Sequence, residues 1–174
     1  MTVNCPLDCV YLREARSREK PPEVDPRQFP NADIRVTEDF LRRNEPLLIA
    51  VAAALAKTSI ETRGAVDSDT REALDALVRT YRTLQSGLYY ESRPDNILAT
   101  HLQRDVQQSV DELRKAAAEE GAAVRDADVL GVLAFLQRLE IQHNNGRPKS
   151  RAFIHFLQQF FPDRREEGGL IATG

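Results

Sequence analysis

The chain has 174 residues, 41% of them hydrophobic and 29% charged, with 24 basic and 27 acidic side chains. That length buries a core without disulfide or metal staples, and two cysteines are too few for a disulfide framework. A net charge of −3, with no strongly basic half, argues against a dedicated nucleic-acid surface.

Residues 1–20 lack the basic start and long apolar stretch of a secretory signal, so a cytoplasmic location is expected. Cys5-Pro6 predicts the start of a short helix reaching about Lys20, since Pro is tolerated at the first helical position. Pro21 to Pro30 carries four prolines and predicts an extended connector. Thr37 is placed to cap a helix opening on Glu38 and Asp39, acids suited to a helix N-terminus. Pro46 then predicts either a kink or two helices end to end. Leu47 to Ile60 is apolar on almost every face, which predicts the central helix of a bundle. Its most apolar stretch, Leu47 to Ala56, is half the length a membrane-crossing helix needs, so no membrane contact is expected.

Gly64 and Asp67-Ser68-Asp69 predict a break and a cap. Leu74, Leu77, Tyr81, Leu84 and Leu88 follow at helical spacing as one packing seam, with Tyr89 and Tyr90 ending that helix. Ser92 to Asp95 opens the longest helix, with Leu98, Leu102, Val106, Val110, Leu113 and Ala117 inward and Gly121 as its stop. A further helix runs from about Asp128 to Asn144, burying Val129, Leu133, Leu136 and Leu139. Ser150 is placed to cap the last helix, which carries Phe153, Ile154, Phe156, Leu157, Phe160 and Phe161 before Pro162 stops it. Those apolar residues cover more than one face, so that helix is either wedged into the bundle or meets a partner. The expected architecture is all-α: one bundle of five to six helices over 37–162, an N-terminal arm over 1–36 and a loose tail over 163–174.

Four residues are candidate metal ligands. Cys5 and Cys9 lie near a predicted helix start, where the dipole favours thiolate, the form that binds metal or attacks disulfides. Their spacing matches neither zinc knuckles nor the Cys-x-x-Cys redox motif, so a tetrahedral site needs further ligands from histidines or a second chain. Glu140 and His143 form a Glu-x-x-His pair on one helical face, the spacing by which di-iron bundles aim a carboxylate and an imidazole at one metal. Zinc or iron is the cofactor this set would hold. A histidine in the last turn of a helix also meets the negative end of the dipole, which accounts for His143 without metal.

His101 stands four residues before Asp105, a histidine with an orienting carboxylate or simply a helical contact, and no nucleophile can be assigned beside it. His155 reads as a surface residue. Gly146-Arg147-Pro148, with Lys149 and Arg151, resembles the core of a minor-groove AT-hook, although a tight helix-helix connection explains the same residues. No catalytic set emerges. The reading that best fits is a helical interaction or regulatory module that self-associates or meets another protein, two-fold pairing being the commonest oligomer. Metal or redox chemistry at Cys5 and Cys9 is the alternative, and DNA contact through Arg147, Lys149 and Arg151 the third.

Overall fold

The computed structural model describes residues 30–161. They form six helices: α1 (Glu38–Arg43), α2 (Glu45–Glu61), α3 (Asp67–Gln85), α4 (Ile97–Glu119), α5 (Asp126–His143) and α6 (Ala152–Phe160). No strand occurs among the described residues, so the protein is an all-α bundle. The helix predicted over Cys5 to Lys20, the connector before Pro30 and the tail after Pro162 lie outside the described residues.

Local chemistry sets the boundaries. Thr37 Oγ1 accepts the Phe40 N–H at 3.1 Å and so caps α1 as its sequence predicts. Asn44 closes that helix by donating its side-chain amide to the Phe40 carbonyl at 3.0 Å. Pro46 falls in the first turn of α2, where a missing N–H breaks no helical bond, so the chain forms two helices end to end. α3 stops earlier than the seam of leucines implies. Gly87 takes a φ of +83°, and Leu88 and Gly87 donate to the Thr83 and Leu84 carbonyls at 3.0 and 3.1 Å. This double bond is a Schellman ending, which only a left-handed residue allows cheaply. Leu88 is therefore off the seam and 69% exposed, with Tyr89 and Tyr90 beyond the helix. Asn96, rather than Ser92 to Asp95, caps α4 by accepting the Leu98 N–H at 2.9 Å.

α2 packs along α4, α4 along α3, α3 along α5, and α5 returns to α2, closing a four-helix ring that α6 joins against α2 and α5. The most enclosed member is α5, with eleven of 18 residues buried, whereas α2 buries eight of 17. The helix predicted over Leu47 to Ile60 nevertheless packs against α1, α4, α5 and α6, as a central helix does. Alanine made α2 look apolar all round, while Gln137 and Glu140 disguised the depth of α5. Its expected inward set, Val129, Leu133, Leu136 and Leu139, is buried throughout. Gly131 is where α1 docks on α5: a Cβ there would overlap the ring of Phe40. The aromatic face of α6 is wedged inside, with Phe153, Ile154 and Leu157 fully covered and Phe161 1% exposed. Docking within the bundle explains that face, and no partner is required for it.

The described end of the arm, residues 30–36, is fastened across α3 and α5. Gln137, itself 4% exposed, donates to Asp75 at 2.6 Å and accepts from Asn31 at 2.7 Å. Asn31 accepts in turn from Arg82 Nε at 2.8 Å, and Arg82 Nη2 donates to Asp33 at 2.6 Å, which holds that carboxyl below its usual range. Arg138 clamps the strap's backbone from beneath, donating to the Asn31 and Ile34 carbonyls at 2.9 and 2.7 Å. The sequence offered no sign of this chain of polar contacts.

Candidate functional site

Polar side chains concentrate where the start of α3 meets the end of α5 and the start of α6. Glu140 is 1% exposed, paired with Arg71 of α3 through Nε and Oε1, and accepts from the Asn144 amide at 3.4 Å. Burial pushes its carboxyl above the ordinary value, with the Arg71 guanidinium pulling the other way. His143, one turn on, stacks its ring on Phe156 of α6 with centroids 3.8 Å apart and planes 16° apart. Within the Glu-x-x-His pair, the carboxylate meets α3 and the imidazole stacks on α6. Among the described residues no group of three or more His, Cys, Asp or Glu side chains is gathered to hold a metal ion. Cys5 and Cys9 lie outside the described residues.

Beside Glu140 sits Asp67, 1% exposed at the first turn of α3. Its Oδ2 accepts from the Ser150 hydroxyl at 2.9 Å and the Phe153 N–H at 3.1 Å, and its Oδ1 accepts the Ile154 N–H at 3.1 Å. The sequence places Ser150 as the cap of α6. It accepts the Ala152 N–H at 3.2 Å, but the deeper amides are satisfied by Asp67 from another helix. One carboxylate therefore lies at two helix N-termini, where both dipoles favour its charge. Asp69 completes the turn, accepting the Val66 N–H at 2.8 Å and the Asn96 amide. Together these bonds staple α3, α5 and α6.

A pH signature follows from the buried carboxyl. A folded pKa raised above the unfolded value means that Glu140 contributes stability in full below its ordinary 4.5, and that this is lost as pH rises through the folded value. Glu140→Gln keeps an oxygen for Arg71 and cannot ionise. Its melting temperature relative to the parent is expected to climb as pH is raised from about 4 to about 7. A difference that stays flat across that range contradicts the assignment.

His101 and Asp105 do face each other, Nε2 to Oδ2 at 3.8 Å. The Thr58 hydroxyl donates to Asp105 at 2.9 Å, so it joins the carboxylate directly, unlike a nucleophile–base–carboxylate order. His101 Nδ1 is held by Arg104 at 2.6 Å. His155 is exposed on α6, as expected. The basic connection is an ordered turn: Asn144 and Asn145 side chains accept the Gly146 and Arg147 N–H groups at 2.7 and 3.0 Å, and Lys149 takes a φ of +63°. Arg147, Lys149 and Arg151 are exposed around it.

Apolar side chains are left wholly or partly uncovered in two places. Leu88, Tyr89 and Tyr90 are 69%, 74% and 70% exposed on the α3–α4 connection, and Ile97 is 83% exposed nearby in sequence. That connection is anchored: the Ser92 N–H donates to Thr80 at 3.0 Å, and Gln103 donates to the Ser92 carbonyl at 2.7 Å. The other surface is a groove of about 860 Å³ between α2 and α4, floored by Ile49, Ala50, Ala53 and Ala54 and rimmed by charged residues of both helices. The sequence hid this face because the same alanines read as core. No described helix is long and apolar enough to cross a membrane. Comparison of the chain with protein-family models, with curated proteins and with solved structures finds no match.

Proposed function

We propose that this protein is a helical interaction module that self-associates. The supporting observation is the outward face of α2. A helix apolar on nearly every side is ordinarily enclosed, yet Ile49, Ala50, Ala53 and Ala54 are only half-buried where α2 runs beside α4, and Ile60 is 49% exposed. The polar clusters, by contrast, are engaged within the chain: Glu140 with Arg71, Asp67 with α6, and Gln137 with the strap. The exposed tyrosine segment offers a second apolar surface, held on a fixed connection, for a different protein. Sedimentation equilibrium of the full chain from about 1 to about 500 μM tests self-association, a range chosen to cover weak pairs. A concentration-dependent shift to twice the monomer mass is expected, and a monomer throughout overturns the reading.

A further inference from the structure

We infer that the turn between α5 and α6 binds the phosphate backbone of duplex DNA through Arg147, Lys149 and Arg151. The net charge of −3 averages over the chain and hides a local imbalance, because residues 141–161 contain no aspartate or glutamate. Arg147, Lys149 and Arg151 are exposed there, and among the described residues none of the three side chains has a hydrogen bond or an ion pair. Arginines elsewhere are engaged, as Arg71 is with Glu140, Arg82 with Asp33 and Arg114 with Asp126. Arg35, Arg79 and Lys115 are also unpaired among the described residues, but each stands on a different element. Only on this turn do such cations follow one another closely in the chain.

The backbone that carries these charges is fixed. Besides the two asparagine caps, the Ser150 N–H donates to the Arg147 carbonyl at 3.1 Å, and the Asp67 N–H donates to the Ser150 carbonyl at 2.8 Å. A backbone already ordered loses less freedom on binding. The carboxylates beneath are taken up within the chain: Asp67 is buried under its donors, and Glu140 pairs with Arg71. Glu61 and Glu72 are the exposed acids at the adjoining ends of α2 and α3, with Arg63 exposed between them in sequence, so cations stay in excess at this end. The surroundings of the charges favour nucleic acid over an acidic protein. α6 turns Arg151, His155 and Gln159 outward at four-residue spacing, and Pro148 is the one exposed apolar residue from 144 to 159. A protein interface has an apolar centre, whereas a phosphate backbone is held by charge and hydrogen bonds. Guanidinium groups suit phosphate in particular, meeting two of its oxygens with parallel bonds.

Fluorescence anisotropy of a labelled DNA duplex of mixed sequence, titrated with the full chain, tests this. Phosphate contacts from the three cations give a slope of about −2.7 in log K against log salt, about a fortyfold loss of affinity between about 50 and about 200 mM. Arg147→Gln, Lys149→Asn and Arg151→Gln are each expected to make that slope shallower by about 1. Lys149 has a φ of +63°, which asparagine adopts more readily, so Lys149→Asn removes the charge without straining the turn. The triple variant is expected to lose binding at about 50 mM salt while unfolding at the parent's temperature. Arg79→Gln, which removes an unpaired cation on α3, is expected to leave the slope unchanged. A parent that does not bind at about 50 mM salt overturns the inference, as does a slope that Arg79→Gln changes as much as Arg151→Gln. Displacement of the duplex by poly-glutamate at equal charge concentration overturns it too, and would assign the turn to an acidic protein.

Discussion

Replacement of Asp67 by alanine is expected to lower the free energy of unfolding by about 3–5 kcal/mol, a large share of the stability of one domain. The carboxylate is 1% exposed and accepts from a hydroxyl and two backbone amides at the start of α6. Truncation leaves those donors buried without partners, and each costs about 1–3 kcal/mol. Loss of a favourable charge at two helix N-termini adds to the effect. Asp67→Asn retains one side-chain oxygen as an acceptor, so its cost is expected to be smaller. Urea denaturation measures the total, and hydrogen exchange at the Phe153 and Ile154 amides locates it. Protection of those two amides that survives Asp67→Ala would show that α6 is capped by something else.

The second large effect belongs to Gln137. Gln137→Ala opens a cavity inside the most enclosed helix and strips Asp75 and Asn31 of a shared partner. The expected loss is about 2–4 kcal/mol. Asn31→Ala, on the more accessible side of the same contact, is expected to cost only about 1–2 kcal/mol because water can replace the lost amide. The two losses should be less than additive when combined, since either substitution alone already breaks the Asn31–Gln137 bond. Strict additivity in a double-mutant cycle would mean that the strap is held chiefly by Arg82 and Arg138.

How far the sequence foretold these features depends on the distance over which each works. Thr37, Pro46 and Gly121 act on their immediate neighbours, so caps, breaks and stops could be read within a few residues. The leucine spacing was carried one turn too far at Leu88 because periodicity says nothing about where a left-handed residue ends the helix. The buried face of α5 was legible for the same local reason, and that of α4 in part: Leu102, Val106 and Val110 are buried, whereas Leu98, Leu113 and Ala117 are half-buried and Ala99 and Gln103 lie inside instead. Contacts that join distant elements were not legible. Arg71 and Glu140 are 69 residues apart, and Asp67 and Phe153 are 86 apart. In sequence, Asp67 is one more acid suited to its own helix start, and its service to α6 exists only after folding. Glu140 and His143 illustrate the converse. Their spacing correctly put them near each other on one helix, but side-chain direction depended on Arg71 and Phe156, which belong to other helices.

The position of Asp67 also bears on the order in which the chain can mature during synthesis. A ribosome delivers α3 well before Ser150 and α6, the last of the described helices. Until that helix arrives, a carboxylate destined for burial keeps water as its partner, and the end of the bundle that it will seal stays wet. Arrival of Phe153 and Ile154 brings their amides and their apolar side chains to the same place, so capping and enclosure occur as one event. A nascent chain halted before Ser150 is then a bundle with an unsealed end, the form a chaperone would encounter.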